Sequence, residues 1–139
     1  MHAPPKASDV PIITPDELAK ADGILFGIPT RFGMLPAQMK AFFDSCGKLW
    51  YSGALKNKFV GTFFSTGVLG AGQETTAYTM IPFFAHQGMI YVSFGGKHKG
   101  IGDISQVHGG SSWGSGTLSG PDGSRQPSNL ELEMAEAQG

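Results

Sequence analysis

The sequence has a single cysteine, Cys46, and no apolar run as long as a membrane span. One cysteine excludes an internal disulfide and is typical of a reducing compartment, so we expect a cytoplasmic protein without a membrane span. No charged segment followed by an apolar one opens the chain, which predicts no secretory signal. The four histidines show no metal-ligand spacing, so we expect no metal site.

An excess of charge of one sign is also lacking. The chain carries 10 Lys and Arg against 11 Asp and Glu, a formal net charge of −1. This balance predicts no basic surface for nucleic acid or for an anionic membrane, and we expect neither as a partner. With 40% apolar residues in 139, the chain has enough for one modest core, so residues 1–139 are predicted to form a single domain.

Glycine is the abundant residue, with 21 in the chain, and it concentrates in the segments 67–72, 95–102 and 109–123. No repeat period relates these segments. Glycines grouped between structured segments mark loops that need a positive φ or a close approach to another group. We therefore predict functional loops, including one long glycine-rich loop over 95–126.

Three runs that are apolar throughout predict strands at 23–28, 59–64 and 89–94. Continuous apolarity, rather than alternation, is typical of a strand that helices cover on both faces. Helical signals lie between and after the runs. Thr14 and Glu17 form a capping box for a short helix ending near Gly23, and the stretch 1–12 before it is predicted to be extended.

An apolar face predicts a helix over 36–46, followed by a polar, turn-rich stretch. Another helix is predicted over 73–86, with a kink at Pro82. A capping box of Ser128 and Glu131 starts the last helix. Strands alternating with helices predict an α/β fold, a three-layer parallel sheet with crossover helices.

The loops that follow parallel strands meet at one edge of the sheet, where such folds bind ligands. Here they contain Thr30, Arg31 and Phe32 after the first strand and the segment 65–74 after the second. Small hydroxyls, backbone amides, one cation and one aromatic suit a planar, partly anionic ligand with polar edges. The second loop is not a Walker loop, because no Gly-Lys-Ser/Thr follows. The ring of Phe32 could instead fold back onto the core.

Two further residues have two interpretations each. Trp50 lies in the turn-rich stretch "GKLWYSGALKNK", where its ring either joins the core or forms the wall of a pocket. His86 ends a predicted helix, where the helix dipole favours a histidine, or it donates a hydrogen bond to a ligand carbonyl.

The motifs "MHAPPK", "FGIPTRFG", "STG…GQET", "AHQGM", "HGGSSWGSGT" and "DGSRQPS", in this order, resemble the WrbA-type NAD(P)H:quinone oxidoreductases. The resemblance covers essentially the whole chain. It implies a flavodoxin-like fold, tetramers, FMN and NAD(P)H as cofactors, a quinone as substrate and a role in oxidative stress. It implies no acid–base residues, because the flavin carries the redox chemistry.

The resemblance also implies the site residues. The cofactor-binding positions are Thr30, Arg31, Phe32, Ser65, Thr66, Gly67, Val68, Leu69, Gly70 and His86. Trp50 is implied to flank the quinone or nicotinamide from a neighbouring subunit.

The chain aligns with the later part of this family only, without the first strand and the phosphate-binding loop of its members. We therefore expect a flavodoxin-like domain that is N-terminally incomplete, with about three main strands left. The strand at 23–28 should form an open sheet edge, with Phe26 bare, so that the chain self-associates or is poorly soluble. Binding of FMN should be weak, since charge-assisted hydrogen bonds contribute roughly 1.5–3 kcal/mol each.

Three functions are therefore compared. The first is FMN-dependent reduction of quinones by NAD(P)H. The second is a non-catalytic flavodoxin-like fragment that acts as a binding or assembly partner and has lost FMN binding. The third is a one-electron flavodoxin carrier, which the near-neutral charge disfavours because such carriers are typically strongly acidic.

Overall fold

The structure is a computed structural model that describes residues 5–139. Its elements in chain order are α1 (Pro15–Leu18), β1 (Gly23–Pro29), α2 (Ala37–Ser45), α3 (Gly47–Ser52), β2 (Phe59–Thr66), α4 (Gln73–Tyr78), α5 (Ile81–Gln87), β3 (Ile90–Tyr91), a 3-10 turn (Lys99–Gly102), β4 (Gly116–Leu118) and α6 (Asn129–Gln138).

Strand β2 is the centre of a four-stranded sheet in which every pairing is parallel. On one side β1 pairs along most of its length, from Gly23 opposite Phe59 to Pro29 opposite Ser65. On the other side β3 pairs with the start of β2 and β4 with its end. The predicted parallel α/β sheet is confirmed, and the loops after β1 and β2 open at one edge.

One face of the sheet carries the main core. Phe26 of β1 packs edge-on against Phe43, with ring centroids 5.4 Å apart, and stacks on Phe84 at 5.7 Å. Burying each such ring contributes about 1.5–3 kcal/mol. Helices α1, α2, α3 and α5 all supply buried side chains to this cluster, namely Leu18, Phe43, Leu49 and Phe84. The expectation that Phe26 lies bare is therefore wrong.

The opposite face is covered only in part by the described residues. Helix α6 lies over it on the β4 side, where the Gln138 side chain bonds the Thr62 carbonyl at 2.9 Å and the Ser115 amide at 2.8 Å. On the β1 side Leu25 is 51% exposed, and Phe63 is also exposed. The prediction of strands covered on both faces fails here, because apolarity alone does not show which face has a helix.

The helices differ from the prediction in where they end and where they are interrupted. The first capping box is present, but α1 ends at Leu18, well before Gly23. The helix predicted over 73–86 is two helices, and Pro82 lies in the first turn of the second, where a missing N–H is harmless. The turn-rich stretch after α2 contains the short helix α3. The last helix and its capping box are confirmed.

The strand and loop boundaries also shift. Strand β3 is limited to two residues instead of 89–94, and β4 forms within the segment predicted to be one long loop. Residues 5–12 contain no helix or strand, as predicted. The rest of that prediction, over residues 1–4, lies outside the described residues. Within residues 5–139, no helix has the length and apolarity needed to cross a bilayer, and no cluster of potential metal ligands occurs.

Candidate functional site

The first loop at the carboxyl edge is a tight turn that presents an aromatic ring. Arg31 and Met34 exchange backbone hydrogen bonds of 2.8 and 3.0 Å. Between them Phe32 (φ 54°) and Gly33 (φ 75°) adopt the left-handed conformation, which is unfavourable for a bulky residue. The Phe32 side chain is 99% exposed. The alternative that this ring folds onto the core is therefore wrong.

The first and second loops are held together by direct contacts. The Thr30 amide donates to the Ser65 carbonyl at 2.9 Å, and the Thr30 hydroxyl lies 2.7 Å from that of Thr76. Gly72 (φ +95°) packs so closely on Gly33 that a Cβ atom added at Gly72 would lie 2.6 Å from the Gly33 Cα. Glycine at position 72 is therefore required both for its backbone conformation and for this contact.

The side chain of Gln73 joins the second loop to the long loop before β4. Its Nε2 donates to Thr66 Oγ1 at 3.2 Å and to the Thr117 carbonyl at 3.0 Å, while its Oε1 accepts from the Gly110 amide at 2.7 Å. The side-chain amide of Gln73 therefore makes these three hydrogen bonds within the protein itself. Gln73 is thus a positioning residue that the sequence did not identify, because nothing local distinguishes it from an ordinary first residue of a helix.

Glu131 holds the same long loop from the other side. Its carboxylate accepts from the amides of Gly109 (2.8 Å) and Ser128 (2.7 Å), the Thr117 hydroxyl (3.1 Å) and the Arg125 guanidinium (2.9 Å). The side chain is almost fully buried. The capping box predicted the Ser128 contact only, and the other partners are distant in the chain or have no local signal.

The pKa of Glu131 reflects this environment. Burial by itself raises the pKa of the carboxyl, and it is the largest single effect. Hydrogen bonds from Ser128, Arg125, Gly109 and Thr117 together outweigh burial, so the pKa of Glu131 lies below its ordinary value. The carboxylate is therefore ionised at neutral pH and keeps its four donors in place.

These contacts enclose a cleft of about 320 Å³ between the second loop and the long loop. Its lining consists of Thr66, Val68, Leu69, Gly70, Gly72, Gln73, Glu74, Thr75, His108, Gly109, Gly110, Ser111 and Leu118. The volume is at the lower end of the range for small-molecule sites, about 300–1,000 Å³. Exposed Val68 and Leu69 supply apolar surface, and backbone groups of the glycine segments supply polar contacts.

Only some of the predicted cofactor-binding residues line the cleft. Thr66, Val68, Leu69 and Gly70 line the cleft. Ser65 and Gly67 are next to these residues in the sequence but do not line the cleft. Thr30, Arg31 and Phe32 lie beside it, through the contact of Gly33 with Gly72 and Thr75. The Arg31 guanidinium bonds only its neighbour, the Thr30 carbonyl at 2.8 Å, among the described residues.

His86 and Trp50 are placed elsewhere within this chain. His86 lies in the last turn of α5 and lines a separate groove with Lys40, Asp44 and Phe83. Trp50 lies on α3 with its side chain 59% exposed, so the interpretation of Trp50 as a core residue is wrong. Neither residue lines the cleft.

Comparison with known proteins gives a consistent set of relatives. Residues 14–95 match the family described as NADPH-dependent FMN reductase. The whole chain is 59% identical to "Quinone-oxidoreductase QR2" of Triphysaria versicolor, of which it spans 68%. It is 54% identical to "Minor allergen Alt a 7" of Alternaria alternata, spanning 70%, and 50% identical to "NAD(P)H quinone oxidoreductase PST1" of Candida albicans, spanning 70%.

A solved structure shows the same fold. The crystal structure of the flavodoxin, WrbA-like protein from Agrobacterium tumefaciens superposes with a TM-score of 0.67 at 24% sequence identity. The match covers 88% of this chain and 64% of that one. The predicted flavodoxin-like fold is confirmed.

Proposed function

Because the chain belongs to the NADPH-dependent FMN reductase family, we propose that it catalyses the FMN-dependent two-electron reduction of quinones by NAD(P)H. The observation that carries this proposal is the cleft at the carboxyl edge of the sheet, where the loop after β2 faces the long loop. The relatives named as quinone oxidoreductases share half or more of their aligned residues with this chain.

The cleft fits the flat ring system of a flavin. Apolar Val68 and Leu69 suit the faces of the ring, and the backbone around Thr66–Gly70 suits its polar edge. Bound FMN would supply the hydride chemistry. The chain then has to orient the ring and place N–H donors at its carbonyl edge, where they stabilise the negative charge of the reduced form.

Arg31 and Phe32 complete the proposed site from the first loop. Arg31 supplies a cation beside the cleft, and Phe32 supplies a ring that no protein contact covers within the described residues. Holding a phenylalanine in a left-handed conformation costs of order 1–3 kcal/mol. Such a cost is typical of functional loops, and it supports a role for Phe32 against the flavin or its substrate.

The FMN phosphate fits this lining less well. Among residues 5–139, Glu74 and His108 are the only titratable residues that line the cleft, and no lysine or arginine lines it. A phosphate is usually held by charge-assisted hydrogen bonds of roughly 1.5–3 kcal/mol each, and every 1.4 kcal/mol is about tenfold in affinity. We therefore propose weak binding of FMN by this chain. The same observation favours the second candidate, a non-catalytic partner without flavin.

The positions of His86 and Trp50 support a proposal about assembly. Both are exposed and neither reaches the cleft of its own chain, so we propose that they serve the site of a neighbouring copy in a homo-oligomer, a tetramer as the resemblance implies. A single domain, a cytoplasmic location and a role in oxidative stress are further proposals that rest on the sequence.

Steady-state turnover separates the two candidates. The purified chain is given excess FMN, NADPH or NADH, and 1,4-benzoquinone, and quinone reduction is compared with that by free FMN alone. Turnover above the free-flavin rate, reduced in Arg31→Ala, supports the reductase. A rate equal to that of free FMN at every FMN concentration contradicts it and leaves the non-catalytic partner.

A further inference from the structure

The ring of His108, which lines the cleft, contacts two backbone carbonyls at once. Its Nδ1 lies 2.7 Å from the Gly109 carbonyl oxygen, and its Nε2 lies 2.8 Å from the Asp103 carbonyl oxygen. A carbonyl oxygen can only accept, so each contact is a hydrogen bond only when the ring nitrogen donates. A neutral imidazole has one N–H, and the protonated ring has two. Both bonds therefore form together only when His108 is protonated.

Loss of the ring proton breaks one of these two bonds. The bare nitrogen then faces a carbonyl oxygen at 2.7 or 2.8 Å, and the two lone pairs repel each other, so the ring or the backbone has to move. His98 provides the contrast within the same segment. Its Nδ1 accepts from the Gly100 amide at 3.0 Å, an arrangement that a neutral ring satisfies.

The two bonds of His108 hold the wall of the cleft. The bond from Nε2 closes the turn that begins at Asp103, whose carboxylate also accepts from the Ser105 amide at 2.8 Å. The bond from Nδ1 holds the carbonyl of Gly109, and Glu131 holds the amide of the same residue at 2.8 Å. Gly109 itself lines the cleft. Its backbone position there therefore depends on both side chains.

Three side chains anchor this part of the wall, and they respond differently to pH. Gln73, which accepts from the Gly110 amide at 2.7 Å, does not titrate. The pKa of Glu131 lies below its ordinary value, so this carboxylate stays ionised at neutral pH. Histidine is the side chain whose charge ordinarily changes between about pH 5 and 8. Of the three anchors, His108 is therefore the one that changes its hydrogen bonds in this range.

The charged groups on the elements around the ring are Asp103, Lys99, Arg125, Glu131, Glu133 and Glu74. Arg125 is paired with Glu131 at 2.9 Å, and Lys99 with Glu133 at 3.3 Å. Asp103 and Glu74 have no ion-pair partner among residues 5–139. Hydrogen bonds, chiefly from Ser105, hold the pKa of Asp103 below its ordinary value, and the charge of His108 makes a smaller contribution. The groups left to act on the ring are thus carboxylates, which attract its protonated form.

We propose that His108 is a positioning residue of the cleft, whose protonated ring fixes the Gly109 wall and whose deprotonation loosens it. Both bonds are present at low pH, and one is lost as the pH rises and the ring becomes neutral. The protonated ring also brings positive charge to a lining that has no lysine or arginine among the described residues. The affinity for anionic FMN should therefore fall as the pH rises. This effect on FMN rests on the proposed function, whereas the effect on the loop does not.

Nuclear magnetic resonance of the ¹⁵N-labelled chain without FMN tests the loop. At about pH 5.5 both ring N–H protons of His108 should give signals, because hydrogen bonds slow their exchange with water; His108→Arg identifies these signals by their loss. Between about pH 5.5 and 8.5 the protection of the Gly109 amide from hydrogen exchange should fall about tenfold more than in His108→Arg, the equivalent of one hydrogen bond. Arginine keeps its donors throughout this range.

Flavin fluorescence titrations at the same two pH values test the ligand. The affinity of the parent for FMN should fall about tenfold more than that of His108→Arg, by the same loss of one bond. The FMN phosphate also gains negative charge in this range, and the comparison with His108→Arg removes that contribution. The matched control His98→Gln keeps an acceptor for the Gly100 amide outside the cleft lining, and it should show the pH dependence of the parent.

The outcomes separate this proposal from the proposed function. Only one hydrogen-bonded ring N–H at the lower pH, or an equal pH dependence of Gly109 protection in the parent and His108→Arg, overturns the role of His108. An equal pH dependence of FMN affinity in these two proteins overturns its effect on the ligand. If the chain binds FMN at neither pH, the proposed function fails, and the protection of Gly109 alone decides whether His108 positions the wall.

Discussion

Glu131→Gln should destabilise the fold and loosen the cleft, although the two side chains have the same shape. The carboxylate of Glu131 accepts hydrogen bonds from four different groups. A glutamine keeps one oxygen and turns an NH2 group toward donors, which leaves some of them without an acceptor. Charge-assisted bonds contribute roughly 1.5–3 kcal/mol each. The Arg125 side chain is 29% exposed, so its share is reduced by solvent.

We expect a loss of about 3 kcal/mol in the free energy of unfolding, equivalent to about two such bonds. At about 3 °C per kcal/mol for a domain of this size, the melting temperature should fall by about 10 °C. Binding of FMN should weaken in parallel, because Glu131 anchors the Gly109 amide at the wall of the cleft.

The effect should also depend on pH. The pKa of Glu131 is lowered in the folded state, so its contribution to stability is fully present above its unfolded pKa, about 4.5. It is lost as the pH falls through the lower folded pKa, when the carboxyl takes up a proton. Glu131→Gln should therefore lower stability at about pH 7 and lower it much less at about pH 2.

Urea unfolding followed by far-UV circular dichroism measures both effects. Glu133→Gln is the matched control, since Glu133 lies on the same helix in an exposed ion pair with Lys99 at 3.3 Å. Such pairs contribute about 0–1 kcal/mol. Equal urea midpoints for the parent and Glu131→Gln near neutral pH, or equal losses for both substitutions, would refute the role of the buried carboxylate.

Three further substitutions test the site. Arg31→Ala should weaken binding of FMN or quinone without changing the circular dichroism spectrum; unchanged flavin affinity and turnover would contradict this. Trp50→Ala should reduce quinone turnover and cost less than about 1 kcal/mol in urea unfolding, because a core tryptophan would cost about 3–5 kcal/mol; a loss in that range would show a core role. Gly72→Ala should lower both stability and flavin affinity more than Gly70→Ala, since both have a positive φ but only Gly72 meets Gly33; equal effects would show that the loop contact is unimportant.

Local signals in the sequence were sufficient for most of the fold. The two capping boxes depend on residues three positions apart, and both form as predicted. The runs around Phe26 and Phe64 are apolar enough to specify buried strands, and their order implied parallel pairing. The loop with Thr30 and the loop with Thr66 then had to meet at one edge.

The rest depends on contacts between distant residues. Gln73 and Glu131 each bond to several segments far apart in the chain, and no spacing in the sequence predicts this. Leu25 is exposed because no described helix lies above it, although it is as apolar as Phe26. The short strand β4 forms within a glycine-rich segment, where close contact with Gln73 requires Gly116.

Titration of the purified chain with FMN, followed by flavin absorbance and by NAD(P)H-dependent reduction of 1,4-benzoquinone, tests the central claim most directly. We predict a perturbed flavin spectrum that saturates only at high FMN, together with turnover that exceeds that of free FMN and falls in Arg31→Ala. A flavin spectrum identical to that of free FMN throughout the titration, with no turnover beyond that of the free cofactor, would contradict the claim.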